Sequence, residues 1–273
     1  MTAPRPNGQG STPIGRPLST WARLSLGVLS VTTALLLWQA LGSLRLIPSG
    51  LLASPAQVFA ALVDIARHGY RGTSLGEDIG ATLLRALAGF AIGMLAGVPL
   101  GLWMGMSRLT AAAADWIVQF LRPLPPLSFL VLLMLWLGTG DLAKVGLLAL
   151  TAFPIITSAT YAAVASVPQQ KIQAARSLGA SHGQVFRHVL LPAALPTIST
   201  GLRIALAAAF STVVAAELMA GSDGLGWMIF SASQFLRNDV VLLGIILLGL
   251  LGMGLNSILL GLDRSLIHWR GRE

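Results

Sequence analysis

The chain has 273 residues, 55% of them hydrophobic and only 10% charged, with a mean hydropathy of +0.77. A soluble domain of this size carries far more charge, so the composition excludes that class and points to an all-α polytopic membrane protein. The absence of cysteine excludes a disulfide framework and a thiolate metal site, and the net charge of +8 sits between apolar runs, where membrane topology rather than nucleic acid explains it.

Residues 1–20 are rich in Pro, Gly, Ser and Thr and read as a disordered lead. Arg5, Arg16 and Arg23 then precede a first apolar run, Leu24 to Leu41, about 18 residues and just long enough to span a bilayer. A cleaved leader is the alternative, but no clean small-x-small cleavage site follows the apolar core. Pro48, Ser49 and Pro55 mark a turn, and Pro55 to His68 reads as a short amphipathic helix, so residues 21–78 hold the first span and an outer segment. Residues 79–263 form the core. Its first span runs from Ile79 to Met106, after Glu77 and Asp78, and carries Gly89, Gly93, Gly97, Gly101 and Gly105 at every fourth position. On a helix these form a stripe without side chains, which lets a second helix approach closely. The spacing predicts packing within the chain rather than contact with another copy.

Ser107 to Asp115 reads as a short loop with Arg108, followed by a span from Trp116 to Leu137. Pro123, Pro125 and Pro126 interrupt that span just after Arg122, and prolines free carbonyls that need partners inside the protein. Arg122, Pro123 and Pro125 are therefore candidates for the transport pathway, with Arg122 either capping freed carbonyls or facing an anionic solute. Gly138 to Lys144 reads as a tight outer loop, and Val145 to Ala165, with Pro154 inside, as the next span. A fifth span, Leu195 to Gly221, contains Arg203 and Glu217, about 21 Å apart on a helix and so not paired to each other. Arg203 is expected to snorkel to the interface. Glu217, an acid at an apolar helix end, is a further pathway or gating candidate. Ser222 to Asn238 is too short to span and return, and reads as a helix at the outer face. The last span is Val240 to Leu262, and residues 264–273 form a basic tail.

Between the fourth and fifth spans lies Lys171 to Pro192, basic and amphipathic, in a loop covering residues 166–192. Ser166 to Gln169 has the pattern of a capping box, and Ile172, Ala175 and Leu178 recur on one helical face. Gly179 stands where a left-handed helix cap favours glycine. Ser181 to Gln184 is a second capping box, Phe186, Val189 and Leu190 give the restarted helix an apolar stripe, and Pro192 is expected to close it. Such a corner is either an interfacial loop or a docking surface for a soluble partner.

The same stretch resembles the coupling loop of ABC importer permeases, a pattern of Glu-Ala-Ala, three residues, Gly, nine residues and Ile-x-Leu-Pro. Here Gln173, Ala174, Ala175, Gly179, Val189, Leu191 and Pro192 fall at those spacings, with Gln173 in place of Glu and Val189 in place of Ile. The stretches LRPLPPLSFLVLLMLWLGTGD (121–141), LPAALPTISTGLRIAL (191–206), VAAELMA (214–220) and GLGWMI (224–229) are similar to permeases of taurine, alkanesulfonate and nitrate importers, most of all the taurine type. The resemblance implies the type I, MetI-like fold and two copies of the permease working with two cytoplasmic ABC ATPases and a periplasmic binding protein. It implies alternating access for a small anion, taurine or another aliphatic sulfonate, with nitrate, bicarbonate or a pyrimidine precursor as alternatives. Gln173, Ala174, Ala175, Leu178, Gly179, Ala180, Ser181, Phe186, Leu191 and Pro192 would form the ATPase-coupling surface.

The residues themselves agree on two points. There is no Gly-Lys dipeptide and hence no phosphate-binding loop of the Walker type, so no cofactor is expected and ATP belongs on another subunit. Lysines and arginines concentrate on the side of the termini, Arg108 and the coupling stretch, which puts both termini in the cytoplasm; the resemblance implies that the membrane is the bacterial inner one. A channel or secondary transporter would show repeated halves, and an intramembrane enzyme a nucleophile–base pair; neither is present in the sequence.

Overall fold

A computed structural model describes residues 19–43 and 52–267. Most of the expected disordered lead, the turn at Pro48 and Ser49, and the tail residues Arg270 and Arg272 lie outside the described residues. The chain divides into two units between Ala56 and Gln57. The first holds α1 (Thr20–Ser43), in which Trp38 donates its Nε1 proton to the Ala53 carbonyl at 3.0 Å. The second begins within α2 (Pro55–His68) and continues through α3 (Leu75–Met106), α4 (Arg108–Leu121), a 3-10 turn (Pro126–Phe129), α5 (Leu130–Leu137) and α6 (Asp141–Ala165). It ends with α7 (Gln169–Ser177), α8 (His182–Val185), a π-helical turn (Phe186–Leu190), α9 (Leu191–Ala220), α10 (Leu225–Gln234) and α11 (Asn238–Leu266).

Five helical runs among the described residues are long and apolar enough to cross a membrane, and a sixth crossing is made if α4 and the 3-10–α5 pair act as one span bent by 95°. The expected third span is thus two helices set at 95° rather than one kinked helix, and the first of them starts at Arg108, where a loop was expected. Three prolines among residues 123–126 explain the break. Each removes an amide donor, and Pro125, which precedes Pro126, is extended at φ −65°, ψ 120°. The expected outer loop at residues 138–144 is also shorter, because α6 begins at Asp141 with Asp141 in its first turn.

The centre of the second unit is α3 laid along α6. Ser74 and Glu77 close a capping box that starts α3, Ser74 accepting from the Glu77 amide at 3.2 Å and Glu77 from the Ser74 amide at 2.7 Å. From there Gly89, Gly93, Gly97, Gly101 and Gly105 face Leu148, Ala152, Ile156, Thr160 and Val164 of α6 in constant register. The two helices therefore run parallel in near contact. A methyl group at Gly93 would stand 2.8 Å from Ala152 Cβ, and one at Gly101 2.6 Å from the Thr157 carbonyl oxygen. With little hydrophobic drive inside lipid, this approach is what holds the pair. Gly201 brings α9 against Ala159 on α6, and Gly252 sets α11 against the Phe210 ring of α9. Phe90, Ala152, Ile156, Ala205, Leu206 and Ala209 fill the space among α3, α6 and α9. Gly97→Leu should force its side chain into Ile156 and the Phe153 carbonyl, 3.1 Å from the position of a Cβ, and cost about 3 kcal/mol. An unchanged unfolding temperature in detergent would show that α3 and α6 part freely.

Candidate functional site

Two sites lie at opposite ends of α6 and α9, and a third lies between them. At the first end, α6 passes into the coupling stretch. Helix α7 starts at Pro168 without a side-chain cap: Ser166 instead caps the end of α6, donating its hydroxyl to the Ala163 carbonyl at 2.8 Å. The expected capping box at 166–169 is therefore absent, because Ser166 is still within the last turn of α6. The α7 end follows the sequence closely. The Ala180 amide reaches the Ala175 carbonyl at 3.1 Å and the Gly179 amide reaches Arg176 at 2.9 Å, a Schellman closure, with Gly179 at φ +84°. Two residues later Ser181 and Gln184 form a capping box, Ser181 Oγ accepting at 3.4 Å and Gln184 Oε1 at 2.8 Å.

This corner is fastened inward by Ile172, Phe186 and Leu190, which pack with Leu102, Val164, Val167, Ala194 and Ile198. Its outer surface carries Lys171, Gln173, Ala174, Arg176, Ser181, Arg187 and both histidines, His182 and His188, all exposed, while Ala175 and Ala180 are half-buried. Leu178 does not share the packed face of Ile172. It is 90% exposed and stands at the tip of the corner. Nor does Pro192 end the second helix. The chain runs on helically from His182 to Met219, and the π turn, in which the Leu191 amide bonds to the Phe186 carbonyl, precedes the proline. A wide turn shifts the hydrogen-bond ladder by one residue, so Pro192 enters α9 in its first turn, where a missing amide is tolerated. Leu191 and Pro192 are half-buried beneath the corner.

At the opposite end a buried ionic hub joins α3, α6, α9 and the turn into α10. Arg85 of α3, 3% exposed, donates from Nε to Asp141 at 2.8 Å, from Nη1 to Glu217 at 2.8 Å, and from Nη2 to Asp223 at 2.7 Å. Lys144, equally enclosed, stands 3.4 Å from Asp141. Glu217 is fully buried and also accepts from Thr82 Oγ1 and from the Gly226 amide at 2.9 Å. Helix α10 has no cap of its own. Its leading amides at Gly224, Leu225 and Gly226 go to Asp78, Thr82 and Glu217 in turn. Gly224 has φ +99°, and a side chain there would run into the Glu217 carboxylate. Glu217, a pathway candidate by sequence, is thus sealed inside a network with every acceptor engaged. Its partner Arg85 is the single charged residue between Ile79 and Met106, and a lone cation in an apolar span is the signal that finds such a hub.

The third site is the break between α4 and α5. Arg122 ends α4, and Pro123 and Pro125 are exposed beside it. Helix α4, 14 residues long, starts beside the coupling-loop end of α3, and Arg122 at its far end lies level with Thr151 and Pro154, near the middle of α6. There Arg122 lines a cleft of about 270 Å³ with Leu124, Pro126, Phe129, Thr151, Pro154 and Thr212. The Thr151 and Thr212 hydroxyls are turned to carbonyls of their own helices, at 2.8 Å and 2.9 Å. Among the described residues the Arg122 guanidinium makes no hydrogen bond or ion pair, so it does not cap the carbonyls freed by the prolines. Arg203 stands with Nη1 3.9 Å from Asp263 Oδ2 of α11.

Comparison with known proteins agrees with these features. The family described as "Binding-protein-dependent transport system inner membrane component" matches residues 97–268. The chain is 41% identical to the taurine transport system permease protein TauC of Escherichia coli K12, over 93% of this chain and 92% of that protein. It is 32% identical to a putative aliphatic sulfonates transport permease, SsuC of Bacillus subtilis, over 94% of this chain and 90% of the other. Among solved structures it is similar to an inward-facing MetNI methionine ABC transporter, with a TM-score of 0.55 and 25% identity, covering 68% of this chain and 95% of that one. The chain belongs to the binding-protein-dependent transport inner membrane component family and is an ABC importer permease of the MetI-like type, of the taurine, sulfonate and nitrate group.

Proposed function

We propose that the chain conducts taurine or another small aliphatic sulfonate from the periplasm to the cytoplasm. Two copies would form the membrane unit, with two ATPase subunits below and a periplasmic binding protein above. The family implies both kinds of partner. ATP hydrolysis falls to the separate ATPase, and the permease contributes the path and the motion. Both termini and the coupling corner face the cytoplasm, as the concentration of lysine and arginine on that side supports.

The observation that carries this reading is the corner itself: a Schellman closure and a capping box two residues apart, fastened to the core beneath and presenting Leu178 outward. A corner fixed at both ends transmits displacement to α6 and α9, which a slack loop would absorb. Alternating access follows if approach of the ATPases moves the two corners together and opens the far side. The anionic class rests on Arg122, whose unspent donors stand at mid-depth beside a break in a helix, and on the likeness to taurine and sulfonate permeases.

Arg122→Ala is therefore expected to lower sulfonate uptake about tenfold or more, the worth of one charge-assisted hydrogen bond, with normal insertion and basal ATPase activity, and Arg122→Lys to recover part of it. Uptake unaffected by both changes would remove Arg122 from the path. The assembly is tested by purifying the tagged permease with its ATPase and adding binding proteins loaded with taurine, another sulfonate or nitrate. Stimulation by a sulfonate-loaded protein is the expected result. Stimulation by a nitrate-loaded protein alone would reassign the substrate, and failure of any ATPase to co-purify would reduce the corner to an interfacial loop.

A further inference from the structure

A groove of about 400 Å³ runs between α9 and α11. Its lining extends from Arg203 to Val214 on α9 and from Leu259 back to Leu248 on α11. That is about 16 Å at the helical rise of about 1.5 Å per residue, which matches half of a hydrocarbon core about 30 Å thick. The walls are apolar apart from Ser211 and Asn256, and small residues, Ala207, Gly249 and Gly252, keep the groove open. Arg203 stands at the end toward the coupling corner. Its guanidinium makes no hydrogen bond among the described residues: Nε is buried without a partner, and Nη1 lies 3.9 Å from Asp263, beyond hydrogen-bond reach. Asp263 in turn accepts from the Ser199 hydroxyl. Arg264, exposed in the last turn of α11, adds a second cation at the same level.

We propose that this groove holds one acyl chain of an anionic phospholipid, with the lipid phosphate at Arg203. Length, wall chemistry and charge point the same way. A slot one leaflet deep, apolar along its length and cationic at the membrane surface, is complementary to a phospholipid tail and its headgroup. The phosphate oxygens supply hydrogen-bond acceptors to a guanidinium whose charged neighbour, Asp263, stands 3.9 Å from Nη1, beyond hydrogen-bond reach. Only the choice of the cytoplasmic leaflet rests on the orientation proposed above; the groove and its ligand do not.

The test reconstitutes the permease with its ATPase in vesicles of equal phosphatidylglycerol and phosphatidylethanolamine, extracts it gently and counts retained lipids by native mass spectrometry. The wild-type complex should keep phosphatidylglycerol in preference, and Arg203→Gln should reduce that preference about tenfold. Gly249→Leu places a side chain in the groove, where a Cβ meets nothing within 4 Å. It should lose the retained lipid of both kinds at an unchanged unfolding temperature. Equal headgroup preference in wild type and Arg203→Gln, or full lipid retention in Gly249→Leu, would overturn the proposal. The chain has no cysteine, so Gly249→Cys offers a single thiol. Its efficient cross-linking to another copy would assign the groove to the permease pair instead. Co-purification of the ATPase is scored separately and stands or falls without the lipid result.

Discussion

Arg85→Met is expected to destabilise the permease by about 3–5 kcal/mol, the cost of breaking a buried ion pair from one side. Glu217 is fully enclosed, and without Arg85 it keeps the Thr82 hydroxyl and the Gly226 amide but no cation. Glu217→Gln should cost much less. Arg85 would still hold Asp141, which is 63% exposed, and Asp223, both reachable by water, while the amide oxygen continues to accept from Gly226. The double change to Met at both positions should recover much of the loss, because a buried pair replaced by apolar groups of similar volume removes the desolvation penalty along with the attraction. Unfolding temperatures in detergent decide this. Equal losses for Arg85→Met and Glu217→Gln, or a double variant no better than the first, would mean that the hub holds the fold by shape and not by charge.

Gly179→Val is expected to abolish uptake and substrate-stimulated ATP hydrolysis while leaving the amount of permease in the membrane unchanged. Nothing lies within 4 Å of a Cβ at this position, so the obstacle is conformational alone: φ is +84°. A left-handed conformation costs an ordinary L-residue about 1–2 kcal/mol, and a β-branched side chain more. The cheaper outcome for valine is to give up the closure that joins Ala180 to Ala175 and Gly179 to Arg176, which turns Leu178 and the second helix away from their present angle. Gly179→Asn, which visits this conformation readily, should keep most activity, and Gly179→Ala should fall between. The series separates angle from bulk: uptake that tracks side-chain volume instead of left-handed preference, or normal uptake with valine, would undo the docking role.

The class of protein and the corner were legible because both are local. Apolar runs show as runs, and the glycine closure and second capping box lie within ten residues of each other. The amphipathic helix at Pro55–His68 and the glycine stripe needed only periodicity. What the sequence hid depends on partners far along the chain. Arg85 meets Asp141, Glu217 and Asp223, more than 50 residues away, and two of those carboxylates sit at span edges, where they pass for surface charge. Looking along its own helix for the partner of Glu217 finds Arg203, too distant to pair. The prolines announced a fault in the third span, but its angle of 95° is not written in them. Pro192 misleads for a related reason. A proline stops a regular α-helix, yet one wide turn before it lets the helix pass, and sequence does not mark the π turn.

The borrowed caps of α10 bear on how the chain assembles. A ten-residue helix is marginal alone, since nucleation is costly and few bonds repay it. Here the leading amides close on side chains 146, 143 and 9 residues earlier in the sequence. Asp78 and Thr82 leave the ribosome long before α10 is made, but Glu217 does so just ahead of it. The leading amides of α10 therefore lack these partners until α3 and α9 have met within the bilayer. A chain in which α3 and α9 have not come together is expected to fray at the start of α10 and to be cut there in limited proteolysis, and a correctly joined one is not.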